Sequence, residues 1–572
     1  MPVGAVQEIG GDSAGETLRV GVVVERRDAP RWILDAIRSV QALPHARIVQ
    51  VLTTDSDGRR PNWRSGLTDH LGRRAYDAFR GLDTWLFRRG PDAFEPGNLT
   101  ALLPDCPFRA ILTERWDDGR WLLESECEAI GRQRLDVVID FGAPSLRASS
   151  GPIARLGIWS YRHGSTPRFA ARPPGFRELI DGRACLYSAL VSEDGVEPAP
   201  RLRYRSWSAV DRRSLYRTLN LCLPKLSQFP ARALRAADDP DLQTLGAEGT
   251  AASGIIPTGG APVPPGNLEV CKGAAILAAR LARDRLRRVV REDTWYLAFG
   301  FGLDPLRPRP DRLLPPPPGH FWADPFPVAD ADGYWIFFEE APFLTQRGGL
   351  RVMRMDPSGR CEPPVRVMDE DSHLSYPCVF RAGNETYLVP ETGATRSVRL
   401  FRAKRFPFEW EQEEVLLRDV RAYDPTLVEI DGRWWMFVNI APEHGSTWDE
   451  LHLYHADRPQ GPWKAHPRNP VVSDVRSARP AGRLFEHGGR RYRPAQDCSL
   501  GYGTALSIRR IDRIDPREYA EVEASRILPD WNRRVVGVHT LNRAGDLTVM
   551  DCIYRAARWR GSTTPIRLPD RG

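Results

Sequence analysis

The apolar pattern begins with Leu18 to Glu25 (LRVGVVVE), a mostly apolar run. Continuous rather than alternating apolarity marks a strand buried on both faces. Pro30 to Leu43 follows with Trp32, Ile33, Ala36, Ile37 and Val40 at helical spacing, and Arg47 to Leu52 (RIVQVL) reads as a second buried strand. A helix-like stretch around Glu124 to Arg132 precedes a further strand, Asp136 to Phe141 (DVVIDF). Strand, helix, strand in that order predicts an α/β domain with a parallel sheet. The loop after Glu25 has no G-x-G-x-x-G, so a dinucleotide fingerprint is absent.

From Trp295 the pattern changes to short apolar and aromatic runs separated by turn pairs such as Asp332-Gly333, Gly383-Asn384, Asp431-Gly432 and Gly488-Gly489. A motif recurs at a period of about 50 residues, within the range of propeller blades. Its copies are Phe321 to Phe338, Leu374 to Val389, Ala422 to Phe437, Ala478 to Arg493 and, more weakly, Val536 to Asp551. Each runs as an apolar strand, a turn and an aromatic or apolar strand, which predicts an all-β five-bladed propeller whose closure hides most sheet edges. Between the halves, Asp238 to Asn267 is rich in Gly, Ala, Pro and Thr and reads as a linker, and Leu268 to Arg291 reads as a bridging helix. The expected plan is a disordered N-terminus over 1–17, an α/β domain over 18–237, linker and helix over 238–294, the propeller over 295–560 and a tail over 561–572.

Composition narrows the function classes. The net charge of +7 is thinly spread over 572 residues, which argues against nucleic-acid binding. Arg280, Arg283, Arg285, Arg287, Arg288 and Arg291 do crowd the bridging helix. They form either a solvated helix face or a docking site for an anionic membrane, glycolipid or phosphorylated substrate. Nine cysteines without a C-x-x-C pair predict neither a disulfide framework nor structural zinc. Met1 to Thr17 has no apolar core of a signal peptide, and no run is long enough to span a membrane, so the expected location is cytoplasmic.

In a propeller the first strand of each blade lines the central channel. The residues opening these strands are His320, Trp322, Asp324, Tyr376, Asp424, Arg479 and His539. Carboxylates accept bonds from sugar hydroxyls and aromatic faces cover apolar sugar faces, so the set suits a carbohydrate or phosphosugar. Arg479 offers a planar fork for an anionic group on that ligand. Glu391 and Asp497 are either further binding residues or turn caps within blades. One axial histidine is weak evidence for a metal site, and the sequence leaves the cofactor unknown.

Pieces such as FWADPF and AYDPTL resemble five-bladed glycoside hydrolases of the arabinanase, xylosidase and invertase type. That resemblance implies catalytic roles for Asp324 and Asp424, as base or nucleophile and as its pKa-tuning partner. It also requires a glutamic acid opening the fourth blade, where this chain has Arg479. HLSYPCVF, YLVPETG, LFRAKRFPFEW, GPWKAHPRNPVV and RPAQDCSLGYG resemble the propeller module of plant glucosamine inositolphosphorylceramide transferases, which implies glycan or glycolipid work. In the N-terminal half, Asp136 to Leu190 resembles the formyltransferase family. Ser160 and Arg162 stand where that family carries Asn-x-His, His163 is one residue late, and Asp194 matches a later Asp. This implies a degenerate formyltransferase-like domain that binds some other ligand. The expectation is a sugar-directed transferase of polysaccharide or glycolipid biosynthesis. The alternatives are a glycoside hydrolase using Asp324 and Asp424, or a non-catalytic carbohydrate-binding protein.

Overall fold

The computed structural model describes residues 17–54, 66–116, 119–142, 145–164, 173–193, 200–238 and 265–557. Residues 1–16, most of the expected linker, the tail over 561–572 and the site candidate Asp194 lie outside the described residues. The chain divides into two compact units, Met1–Leu281 and Ala282–Gly572, with the division inside the helix Asn267–Val290. Among the described residues, no helix is long and apolar enough to cross a membrane.

The N-terminal unit is built on a seven-stranded sheet. Its first strand, Leu18–Val24, lies between Ala46–Thr53 and Val137–Asp140, and both pairings are parallel. Phe108–Ala110 extends one edge in parallel, and Ile158–His163 joins the other side in parallel. Two long strands, Cys185–Glu193 and Arg201–Ala209, then add antiparallel. The expected parallel sheet is therefore the core of a mixed one. Val20, Val22, Val51, Val137 and Ile139 belong to one core and Val23, Leu52 and Val138 to another, so the strands are buried on both faces as their continuous apolarity required. The helix Arg31–Gln41 buries Ile33, Leu34, Ala36, Ile37 and Val40, the stripe read from the sequence.

The second unit is a five-bladed β-propeller of five four-stranded sheets. Blade 1 comprises His320–Asp330, Gly333–Pro342, Gly349–Met355 and Val365–Met368. Blade 2 comprises Ser375–Ala382, Glu385–Glu391, Ser397–Arg405 and Glu409–Arg418, and blade 3 Ala422–Ile430, Arg433–Ile440, Leu451–Ala456 and Lys464–Ala465. In blade 4 the inner strand Phe485–His487 is short, and Arg490–Asp497, Ala505–Ile514 and Tyr519–Ile527 complete it. Blade 5 joins the two ends of the unit. Val535–Ala544 pairs with Leu547–Ala557, Leu547–Ala557 pairs with the earlier strand Arg291–Phe301, and Arg291–Phe301 pairs in turn with Arg312–Leu314. Closing the ring through both ends leaves no free edge between the first and last blades.

Candidate functional site

The inner strands of blades 1, 2, 3 and 5 share a local defect. Their pairing with the second strand slips at Ala323/Phe326, Ser375/Cys378, Tyr423/Thr426 and Val538/Leu541. In the first three the bulged residue is left-handed, with φ of 52° at Asp324, 47° at Tyr376 and 51° at Asp424. A non-glycine residue in that region costs about 1–2 kcal/mol. Pro325, Pro377 and Pro425 follow directly, and a bulge tolerates a residue without an N–H. The bulges turn Asp324, Tyr376, Asp424 and His539 inward, and Arg479, just before the short inner strand of blade 4, joins them; all five are buried in one network of contacts.

Two ion-pair groups make up the network. His539 stands between two carboxylates, with Nε2 3.1 Å from Asp324 Oδ1 and Nδ1 2.6 Å from Asp551 Oδ2. Asp551 also accepts the backbone N–H groups of Asp324, His539 and Thr540. Burial alone would lower the His539 pKa, but Asp551 and Asp324 more than reverse this and carry it to about 10. His539 is therefore an imidazolium at neutral pH. Burial works to raise Asp551, but His539 and the backbone donors hold it below its ordinary value. Asp324, His539 and Asp551 each offer a ligand atom within 4.8 Å of the others, a spacing compatible with a metal ion.

In the second group, Arg479 donates from Nε to Asp424 Oδ2 at 2.5 Å, and from Nη2 to Asp424 Oδ1 at 3.2 Å and Glu391 Oε2 at 3.3 Å. Gln496 Nε2 adds a 2.6 Å bond to Asp424 Oδ2, and the Asp424 backbone N–H donates to Glu391. The expectation that the Arg479 fork is open for an anionic ligand is thus corrected: carboxylates of the chain already fill it. Burial and the charge of Asp424 push Glu391 well above the ordinary carboxyl range. Glu339 is shifted the same way, by burial and by Asp324, and its Oε1 makes no hydrogen bond, with His373 Nε2 3.5 Å away. Asp324 is raised as well, chiefly by burial.

Tyr376 forms a strut. Its hydroxyl bonds Thr426 Oγ1 at 2.8 Å and accepts the Gly482 N–H at 2.6 Å, tying blade 2 to blades 3 and 4. Gly482, at φ 129°, has no room for a side chain, because a Cβ would stand 2.1 Å from Leu541 O. Aromatic rings cover the ions from another side. Arg479 lies over the Tyr423 and Tyr502 rings at 5.4 and 5.1 Å. His539 packs against Trp295 at 4.3 Å and Tyr502 at 5.0 Å, and Trp448 stacks on Tyr502 at 6.2 Å. Tyr502 is 38% exposed and is the part of this cover most open to solvent.

Three further expectations need correction. Trp322 does not face the axis; its ring packs on Phe338 in a blade core and its Nε1 bonds Glu340. Asp497 turns away to pair with Arg526 and cap Ser499 N, because alternation along the strand gives the axis to its neighbour Gln496. The ring of His320 sits 3.2 Å from Pro318 O, and the residue joins neither ion-pair group. Sequence reading passed over Glu339, Gln496 and Asp551, and the rings of Trp295, Trp448 and Tyr502. A signal was present for part of this. Glu339, Glu391 and Asn439 each stand opposite the residue before the bulge, so a polar residue recurs near the end of an otherwise apolar strand.

In the N-terminal unit, Ser160, Arg162 and His163 lie within the strand Ile158–His163 rather than in a loop. Arg162 pairs with Glu193 at 2.5 Å and contacts Ser145. His163 points to the opposite face, with Nδ1 3.0 Å from Ser188 Oγ. Burial, with the charge of Arg162, lowers its pKa to about 4. Asp140, one of several buried acids of this unit, accepts from Arg120 at 2.8 Å, Gly142 N at 3.0 Å and Leu146 N at 2.6 Å.

Residues 316–545 match the family model described as glucosamine inositolphosphorylceramide transferase 1, N-terminal. A glucosamine inositolphosphorylceramide transferase 1 of Oryza sativa subsp. japonica is 37% identical over 248 residues, covering 41% of this chain and 33% of that protein. The protein of the same name from Arabidopsis thaliana is 34% identical over 210 residues, covering 36% of this chain and 27% of its own. The chain thus spans about a third of the length of the curated relatives it matches. Among solved structures, the family 117 glycoside hydrolase Zg3597 of Zobellia galactanivorans aligns at 13% identity and TM-score 0.32, over 46% of this chain and 90% of its own. The catalytic domain of a Coprinopsis cinerea GH62 α-L-arabinofuranosidase aligns at 11% identity and TM-score 0.31, over 45% and 97%. The stretch of this chain that is similar to the transferases is the propeller that carries the ion-pair network.

Proposed function

We propose that the propeller binds a glycan in polysaccharide or glycolipid biosynthesis, and that the chain is a sugar-directed transferase or the binding module of one. The observation that carries this reading is the buried group of Asp324, Glu339, Glu391 and Asp424 covered by Tyr423, Trp448 and Tyr502. Carboxyls accept from sugar hydroxyls, protonated carboxyls also donate, and the rings offer a stacking face. With Arg479 held by Asp424 and Glu391, a neutral sugar fits better than a phosphosugar. The similarity of residues 316–545 to the transferase module supports the biosynthetic setting. The N-terminal unit would hold a second ligand on a formyltransferase-like scaffold.

Hydrolysis by Asp324 and Asp424 is the second reading, and the raised pKa of Glu339 favours it, since a glycosidase needs a proton donor. Calorimetric titration with neutral and anionic sugars, run beside aryl arabinoside and xyloside assays, separates the two. Binding without turnover supports the first reading. Turnover abolished by Asp324→Asn supports the second, and neither binding nor turnover contradicts both.

A further inference from the structure

The helix Asn267–Val290 has two unlike faces. One is docked on the N-terminal unit. Val270, Gly273 and Leu277 are buried on it, and a Cβ on Gly273 would stand 2.7 Å from Ile180 Cδ1. Glu269 pairs with Arg177 at 2.7 Å, and Arg280 Nη1 donates to Leu179 O at 3.0 Å. The opposite face is apolar and exposed. At about 3.6 residues per turn, Leu268, Ala275, Ala279 and Leu286 fall in one row with Val289 beside it. Leu268 is 70%, Leu286 67% and Val289 53% exposed. Lys272, Arg283 and Arg287 flank the row on one side and Arg285 on the other. The helix has two acids, Glu269 and Asp284; Glu269 is paired and Asp284 is half-buried.

We propose that this helix docks the protein on an anionic lipid surface, with the leucine and valine row at the boundary of headgroups and acyl chains and the flanking cations against the headgroups. An amphipathic helix with an apolar stripe and a basic border has the composition of an interfacial one. Charge complementarity selects the occupant. A phosphate polymer would use the arginines but gain nothing from the leucines, and a neutral apolar partner would gain nothing from the arginines. The inference is independent of the sugar reading, because it uses no residue of the propeller axis.

Sedimentation of the full chain with vesicles tests it, comparing phosphatidylcholine alone with a phosphatidylcholine–phosphatidylserine mixture. The expected result is binding to the anionic vesicles only, weakened by salt. Replacing Leu286→Asp with Val289→Asp, or Arg283, Arg285 and Arg287 with Gln, should reduce binding roughly tenfold or more, since each basic residue near such a surface contributes about 1 kcal/mol. These positions are exposed, and unchanged melting would show that the variants still fold. Equal binding to both vesicle types, or none, would overturn the proposal. So would self-association that Leu286→Asp abolishes without any lipid binding, which would mean that a second copy covers the row.

Discussion

Both units bury charge at the ends of central strands, but they balance it in opposite ways. Around Asp140 and Glu193 the neighbouring cations are Arg120, Arg147 and Arg162, so base exceeds acid, and two backbone N–H groups fix Asp140. Around the propeller axis Asp324, Glu339, Glu391, Asp424 and Asp551 face Arg479 and His539, so acid exceeds base. In the first unit burial, with a smaller push from Arg162, drives His163 toward neutrality, with a pKa of about 4. In the second, burial and the neighbouring carboxylates push Glu339 and Glu391 upward, and His539 holds its proton to about 10. Local backbone can satisfy a charge that serves the fold. Carboxyls brought from several blades, with an oxygen left unbonded at Glu339, retain capacity for a ligand.

The largest expected effect comes from breaking the tighter ion pair. Arg479→Ala leaves Asp424 and Glu391 buried without their cation, and should cost about 3–5 kcal/mol of propeller stability in chemical denaturation. Adding Asp424→Asn should restore part of that loss, because it removes the stranded charge. Next, Asp324→Asn should weaken sugar binding at least tenfold while the N-terminal unit melts unchanged. Equal loss in both units would dissolve the contrast between them.

The pH profile sharpens it further. The folded-state pKa of His539 is raised to about 10, so its contribution is complete below the ordinary imidazole value, about 6.5, and is lost as pH rises through about 10. Asp551 is depressed, so its contribution is lost as pH falls below the usual carboxylate range. Thermal melts should show the propeller transition falling between pH 7 and 10 by roughly 5 °C, with the fall reduced in His539→Gln. The smallest effect is expected at His163→Ala. It removes one buried hydrogen bond, to Ser188, and should cost about 1–2 kcal/mol in the N-terminal unit without changing sugar binding.

Much of this was legible because the repeat carries its own register. The Asp-Pro and Tyr-Pro pairs mark the bulges, and Arg479 and His539 follow from the same blade spacing. The strands Arg291–Phe301 and Arg312–Leu314 were harder to place, since nothing local says that they complete the blade closed by Leu547–Ala557. Trp322 and Asp497 were misplaced because a one-residue offset on a strand reverses the face, and spacing alone does not fix that offset next to a bulge. Tyr502 was invisible in its role. It lies between Gly501 and Gly503 in a loop, and only the fold brings it over Arg479 and His539.

The most direct test of the central claim is a crystal structure of the protein soaked with whichever sugar binds most tightly in the calorimetric panel. The account predicts a sugar ring against Tyr502 and Tyr423, with hydroxyls on Asp324 and on Glu339 or Glu391. Density elsewhere on the propeller, or a sugar held by the Arg162 region of the N-terminal sheet instead, would contradict it.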